Sequence, residues 1–224
     1  MIEVRDVTHS LVDRVVLRSV SATLAERRIA VIGANGSGKS TFARLLNGLV
    51  VPDAGTVRVH GASTARDAEA VRRMVGFVFT DPDAQIVMPT VAEDVAFGLR
   101  KRKLGRDKVE LLVTEALERV GLRDHAHHPA HLLSGGQKQL LAVTSVLVTE
   151  PRILVCDEPT TLLDLPNTKR VLELIEGLPQ QVVMVTHDLP AVAGYDRVLV
   201  FHEGRLVADD APGPAVEYYR ALVG

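Results

Sequence analysis

Nine consecutive residues hold the densest chemistry in the chain: Gly33-Ala34-Asn35-Gly36-Ser37-Gly38-Lys39-Ser40-Thr41. Glycines at this spacing let the backbone curl until successive N–H groups point into one concavity, which is how a main chain grips phosphate oxygens. The lysine is placed to reach β- and γ-phosphates, and the Ser40 hydroxyl to ligate Mg²⁺. Such a turn must leave a strand and open a helix, whose unpaired N–H groups and positive dipole end complete the cradle. The sequence meets that condition. Arg28–Gly33 is an apolar, Val/Ile-rich run ending in glycine, the pattern of a buried parallel strand, and a helix is expected from Lys39.

A second apolar strand, Ile153–Asp157, delivers two carboxylates at its carboxyl end, Asp157 and Glu158. Behind a phosphate cradle the first acid is expected to hold Mg²⁺. The second is placed to accept a proton from an attacking water, as a general base. Without the cradle upstream, an Asp-Glu pair would read as a solvated strand end. Cys156 between the apolar residues reads as a buried thiol of the core.

About twenty residues before that strand stands Leu133-Ser134-Gly135-Gly136-Gln137, at a helix start. Ser134 can cap the helix while the Gly-Gly backbone stays open for a phosphate. Between a P-loop and an Asp-Glu strand, this five-residue segment resembles the signature of the ABC ATPases, and the resemblance covers essentially the whole chain. It implies an α/β fold of the P-loop, RecA-like kind: one domain, 1–224, with an antiparallel β portion and a helical subdomain inserted at about 90–148. It also implies ATP and Mg²⁺ as cofactors and a dimer in which Ser134, Gly135, Gly136 and Gln137 reach the ATP held by the other subunit. Two more segments match the family. Thr161-Leu162-Leu163-Asp164 looks like the loop after the catalytic glutamate, with Asp164 at the subunit interface. Val185-Thr186-His187-Asp188 looks like the switch motif, with His187 touching the γ-phosphate.

Two positions depart from the family pattern. Members usually place an aromatic near Leu11 to stack on adenine, and none stands there. The glutamine expected after the Val75–Phe79 strand, a contact to Mg²⁺ and the attacking water, is Thr80. Either the Thr80 hydroxyl serves, or Gln85 stands in, or Gln85 faces the membrane partner instead.

The stretch from Thr80 to Gln85, with Pro89 to Gly98, is similar to the ATPases of energy-coupling-factor transporters. The short carboxyl end, the Glu26-Arg27-Arg28 run and Ile86-Val87-Met88 look most like the ATPase of the biotin system, with cobalt or nickel as the alternative cargo. The implied partners are a second ATPase subunit (self or paralogue), a transmembrane coupling protein and a membrane substrate-binding protein. The chain would lie on the cytoplasmic face of the membrane. A soluble ABC-type ATPase is the rival class; it usually carries a long coiled-coil insertion or tandem cassettes, and neither is present. A P-loop small-molecule kinase would leave the signature unexplained.

Around these motifs the chain reads as an α/β core interrupted by helices. Strands are expected at Glu3–Val7, Gly55–Gly61 and Val75–Phe79, then at Val182–His187, Arg197–Phe201 and Leu206–Ala208, with a hairpin turn at Glu203-Gly204. Between about Thr90 and Val148 the pattern is helical, including an Asp107–Glu110 capping pair and an apolar face of Leu111, Leu112, Ala116, Leu117 and Val120. With 46% hydrophobic and 24% charged residues, the composition is that of a globular chain with a sizeable core. A net charge of −2 gives no reason to expect nucleic acid. The single cysteine excludes an internal disulfide and suits a reducing compartment. Charges at Met1–Asp6 stand where a signal peptide needs an apolar run, and no stretch approaches the roughly 18–20 apolar residues of a membrane span. His125, His127, His128 and His131 read as a polar loop rather than a metal site, and Arg100–Lys103 as a solvated segment.

Overall fold

The computed structural model describes residues 1–224, which fall into two compact units. The first comprises Met1–Val75, Arg152–Glu158 and Pro179–Gly224; the second comprises Gly76–Pro151 and Pro159–Leu178.

In the first unit β1 (Ile2–Leu11) and β2 (Arg14–Leu24) form an antiparallel hairpin. Strand β4 (Ala54–Val59) adds to β1, and the short β5 (Ala62–Ser63) adds to β4, giving the order β2-β1-β4-β5. β3 (Arg28–Gly33) lies in a second sheet, parallel to β8 (Gln181–Val185) on one side and β9 (Arg197–His202) on the other. β7 (Ile153–Asp157) runs parallel to β8, and β10 (Arg205–Asp210) closes the other edge antiparallel to β9. Every residue of β3 and β7 is buried, as the unbroken apolar runs require of strands covered on both faces. Helix α1 (Lys39–Asn47) sets Phe42 against Phe201 of β9, with ring centroids 4.9 Å apart. Helices α2 (Ala68–Met74) and α7 (Pro212–Val223) complete this unit, and the chain leaves it along β6 (Val75–Val78).

The Glu26-Arg27-Arg28 run is structural here. Glu26 accepts from the Arg197 guanidinium at 3.0 Å, and the Arg28 guanidinium donates to the Gln180 carbonyl at 2.7 Å.

The second unit is built on α3 (Val91–Leu99), α4 (Arg106–Arg119), α5 (Gly135–Leu147) and α6 (Leu165–Glu176). α4 starts on Gly105 without a side-chain cap, so the expected Asp107–Glu110 pair does not close its end; Asp107 lies within the first turn, where a carboxylate favours the helix dipole. The capping box sits instead on α3, between Thr90 and Glu93. The histidine-rich loop pairs with the start of α3: His128 and Ala126 carbonyls accept from the Val91 and Ala92 N–H groups. Arg100–Arg102 form a short 3-10 turn whose arginines are engaged, Arg100 over the Phe97 ring and Arg102 with Glu150 at 3.0 Å. No helix is long and apolar enough to cross a membrane.

Candidate active site

The strand–turn–helix expected of the phosphate cradle is present, from β3 through Ala34–Gly38 into α1. Gly38 takes φ +102°, and a Cβ there would lie 2.8 Å from Leu17 Cδ2 and 2.9 Å from the Val16 carbonyl oxygen. Only glycine fits, so β2 can press against the turn from which α1 opens. No side chain caps that helix end, and its first-turn N–H groups remain for an anion. Lys39 is buried, with Nζ donating to the carbonyls of Gly33 at 2.8 Å and Ala34 at 2.9 Å. Burial lowers its pKa, and the charges of Glu158 and Asp157 oppose that shift.

Asp157 arrives at the end of β7, 1% exposed, and its Oδ1 accepts from the Ser40 hydroxyl at 2.8 Å. Arg44, one turn further along α1, stands 3.7 Å from Oδ2. Burial raises the Asp157 pKa, against the lowering effects of the Ser40 hydrogen bond and of Arg44. A hydroxyl and a carboxylate side by side are the oxygen donors that suit a hard divalent cation, so the residues present fit Mg²⁺. The next residue, Glu158, adopts φ +50°, a left-handed conformation that costs a non-glycine residue about 1–2 kcal/mol. It holds that conformation with its N–H on the Val185 carbonyl at 2.9 Å, and its carboxylate meets His187 Nδ1 at 3.2 Å. His187 follows β8, so two parallel neighbouring strands bring the expected base and the expected switch histidine together. Cys156 is buried and unbridged, and burial pushes its thiol pKa up, away from reactivity.

A cavity of about 340 Å³ joins this machinery to the β1–β2 hairpin, with Leu11, Arg14 and Val16 on the hairpin facing Lys39, Ser40 and Glu158.

In the second unit the signature segment starts α5 through a reciprocal cap. Ser134 Oγ accepts from the Gln137 N–H at 3.3 Å, and Gln137 Oε1 accepts from the Ser134 N–H at 2.9 Å. Gly135 is open around its Cα, as expected. Gly136 is not: it is buried, and a Cβ there would fall 2.2 Å from Asn167 Cγ. The absence of a side chain at Gly136 thus also lets α5 and α6 approach. Asp164 caps α6, accepting from Asn167 N–H at 3.0 Å and Asn167 Nδ2 at 2.7 Å, and so holds the Asn167 side chain that lies beside Gly136. Gly136→Ala is expected to lower stability by about 1–3 kcal/mol, the usual cost of overpacking. Its thermal midpoint should fall accordingly, and Asn167→Ala in the same chain should restore most of the loss.

Gln85 is used differently from its expected role as a stand-in metal ligand. Its Oε1 accepts from the Phe79 N–H at 3.0 Å and its Nε2 donates to the Ala142 carbonyl at 3.1 Å. Both ends of the amide therefore brace the loop after β6 against α5. Sequence reasoning missed the other braces: Asp94, buried, accepts from the N–H groups of Val87 and Met88 and from Ser145, while Lys138 bonds Asp83 at 2.7 Å. It also missed Arg44, Asn167 and Arg14. A trace was available for Asn167, three residues after Asp164 in the spacing of a helix cap.

The family model described as ABC transporter matches residues 17–161. The biotin transport ATP-binding protein BioM of Rhizobium etli is 48% identical over 209 residues, covering 93% of each chain. The energy-coupling factor transporter ATP-binding protein EcfA2 of Methanospirillum hungatei is 38% identical over 195 residues, covering 84% of this chain and 49% of that one. Among solved structures, cbiO1 of Clostridium perfringens, part of the ABC transporter complex cbiONQ, superposes with a TM-score of 0.84 at 30% identity, covering 99% of this chain and 94% of that one. With the phosphate cradle and the Asp157–Glu158 strand end inside a chain matched so fully, the protein belongs to the ABC transporter family and is an ATP-binding ATPase of it.

Proposed function

We propose that this chain is the ATPase of an energy-coupling-factor importer whose cargo is biotin. The observation that carries the reading is the BioM relative, similar over nearly the whole of both chains. The Thr80–Gly98 stretch and the relative named for an energy-coupling factor support the transporter type.

In this reading the residues from Gly33 to Thr41 hold the triphosphate of ATP, with Lys39 against its outer phosphates. Ser40 and Asp157 would hold Mg²⁺; the ion would screen phosphate charge. Glu158 removes a proton from the attacking water, and His187 fixes the Glu158 carboxylate and contacts the γ-phosphate. Ser134, Gly135 and Gln137 present α5 to the nucleotide of a second ATPase subunit, a copy or a paralogue, with Asp164 at the interface. Gly136 belongs to the same set, and its missing side chain also makes room for Asn167.

The membrane stroke enters through residues 80–94. Gln85, Asp94 and Lys138 tie that segment to α5, and α5 begins at the signature. A push on the segment therefore moves the signature as one body with it. Val87, 61% exposed, and Phe97, 44% exposed, offer apolar contacts to a transmembrane coupling protein on the cytoplasmic face.

The test is purification from membranes, with identification of the partners and of the retained small molecule. A hydrophobic coupling protein, a small membrane substrate-binding protein and biotin are expected. Recovery with cobalt or nickel instead would replace the cargo and keep the transporter type. Recovery without any membrane protein would move the chain to the soluble ABC-type ATPases.

A further inference from the structure

Four histidines, His125, His127, His128 and His131, precede the signature, and the ring of one of them reaches into it. His125 ends a short 3-10 turn, Arg123–His125, and its half-buried ring sets Nε2 at 3.4 Å from Gln137 Nε2. The backbone that carries it is held on both sides. The His125 N–H donates to the Leu122 carbonyl at 3.0 Å, and the carbonyl of the next residue, Ala126, accepts from the Ala92 N–H of α3 at 2.9 Å. The His128 ring stands edge-on to the His125 ring, with centroids 5.0 Å apart and planes at 77°. The imidazole is thus placed by its own loop and by α3, not by the helix it touches.

Hydrogen-bond chemistry fixes which form of the ring fits. Gln137 Oε1 is committed to the Ser134 N–H at 2.9 Å, and turning the amide over would set two donors face to face there. The atom opposite His125 is therefore the amide nitrogen, a donor, so the ring Nε2 must offer its lone pair. Nδ1 is buried and meets no partner with or without a proton, which leaves Nε2 to decide between the two neutral tautomers. The proton belongs on Nδ1. Gln137 Nε2 then donates to His125, Gln137 Oε1 accepts from the Ser134 N–H, and Ser134 Oγ accepts from the Gln137 N–H at 3.3 Å. The amide has no other acceptor for its nitrogen, so without the imidazole nothing stops it turning off the cap. We propose that His125, as the Nδ1–H tautomer, is a positioning residue for ATP hydrolysis. It holds the Gln137 amide, and through it the Ser134 end of α5. The role rests on the reading of Ser134–Gln137 as the part that meets the nucleotide of a second subunit.

Two measurements test it. In the full chain, ring ¹⁵N and ¹³C spectra should show a histidine held as the Nδ1–H tautomer, the minor form of a free imidazole. That signal should vanish in His125→Gln, which assigns it among the 8 histidines. In the assembled transporter, His125→Phe keeps a ring and removes the acceptor. Its kcat/KM for Mg·ATP should fall roughly 2- to 10-fold, the net worth of one hydrogen bond, while Mg·ATP binding to the separate chain stays unchanged. His125→Gln, whose amide oxygen reaches the place of Nε2, should restore kcat/KM to near wild type. In a Gln137→Ala background, His125→Phe should cost nothing further, because its route to the site is already cut. His125→Leu replaces His125→Phe should the latter fail to fold. The proposal is overturned if His125 carries its proton on Nε2, or if His125→Phe turns over as wild type. It is equally overturned if His125→Gln loses as much as His125→Phe, since ring packing would then matter and the lone pair would not. A further loss in the Gln137→Ala background would send the effect by another route and overturn it too. Gln137→Ala that itself hydrolyses ATP at the wild-type rate overturns the signature reading along with this one; a damaged Gln137→Ala beside an intact His125→Phe overturns this one alone.

Discussion

Glu158→Gln should bind ATP as tightly as the wild-type chain and turn it over roughly 10²–10⁴-fold more slowly, the usual contribution of a general base. The substitution keeps the size of the side chain and its left-handed backbone, so the Val185 carbonyl still receives the N–H of residue 158. What is lost is proton affinity. The carboxylate lies on the wall shared with Lys39 and Ser40 and is 16% exposed, close enough to the cradle to meet a water and shielded enough to act on it. Its contact with His187 Nδ1 at 3.2 Å orients the carboxylate. Steady-state turnover in the assembled transporter and nucleotide affinity should be measured together. Turnover near the wild-type rate with intact affinity would remove Glu158 from the chemistry. A fall in affinity equal to the fall in rate would assign it to binding.

Much of this site could be read from the chain because its motifs are local. Gly33–Thr41 and Asp157–Glu158 are each contiguous, and each is seated on an apolar run whose burial is plain from composition. Ser134 and Gln137 are likewise a cap three residues apart, and the structure forms it. What the sequence concealed depends on contacts across long separations. Asn167 explains why residue 136 has no side chain, yet thirty-one positions separate them and only the meeting of α5 with α6 joins the two. Gln85 looked free for a metal because its bond partners, a backbone N–H and a backbone carbonyl, leave no mark on residue type. Strand β2 was missed since Arg14, Arg18 and Ser19 break its apolar pattern, and register shifts on β1 keep the hairpin from a simple two-residue alternation. α6 was missed because Leu165 and Pro166 at its start, both exposed, suggest a loop. A proline in the first turn of a helix loses no hydrogen bond, so it marks a start as readily as a break.

Asp157→Asn should move hydrolysis and stability in opposite directions. Burial raises the pKa of Asp157 in the folded chain, even with Ser40 and Arg44 favouring the charge. A carboxyl raised on folding contributes stability at pH below its unfolded pKa, and that contribution disappears as pH rises through the folded value. At neutral pH the ionised group is therefore a net cost to the ligand-free fold. Asparagine is nearly isosteric, can still accept the Ser40 hydroxyl, and carries no charge to desolvate. The ligand-free variant is expected to melt higher than wild type at pH 7, by about 2–4 °C for each kcal/mol relieved in a chain of this size. The difference should shrink as pH is lowered into the carboxylate range. Its ATPase activity should fall by at least about 10²-fold, since the carboxylate is the charged member of the Ser40–Asp157 pair offered to Mg²⁺ and a metal's contribution to the transition state is several kcal/mol. Added Mg·ATP should raise the melting point of wild type more than that of the variant, because ligand linkage follows affinity. A variant that melts lower than wild type at pH 7 would show that Arg44 and Lys39 more than offset the burial of the charge. A variant that hydrolyses ATP at the wild-type rate would remove Asp157 from the metal site.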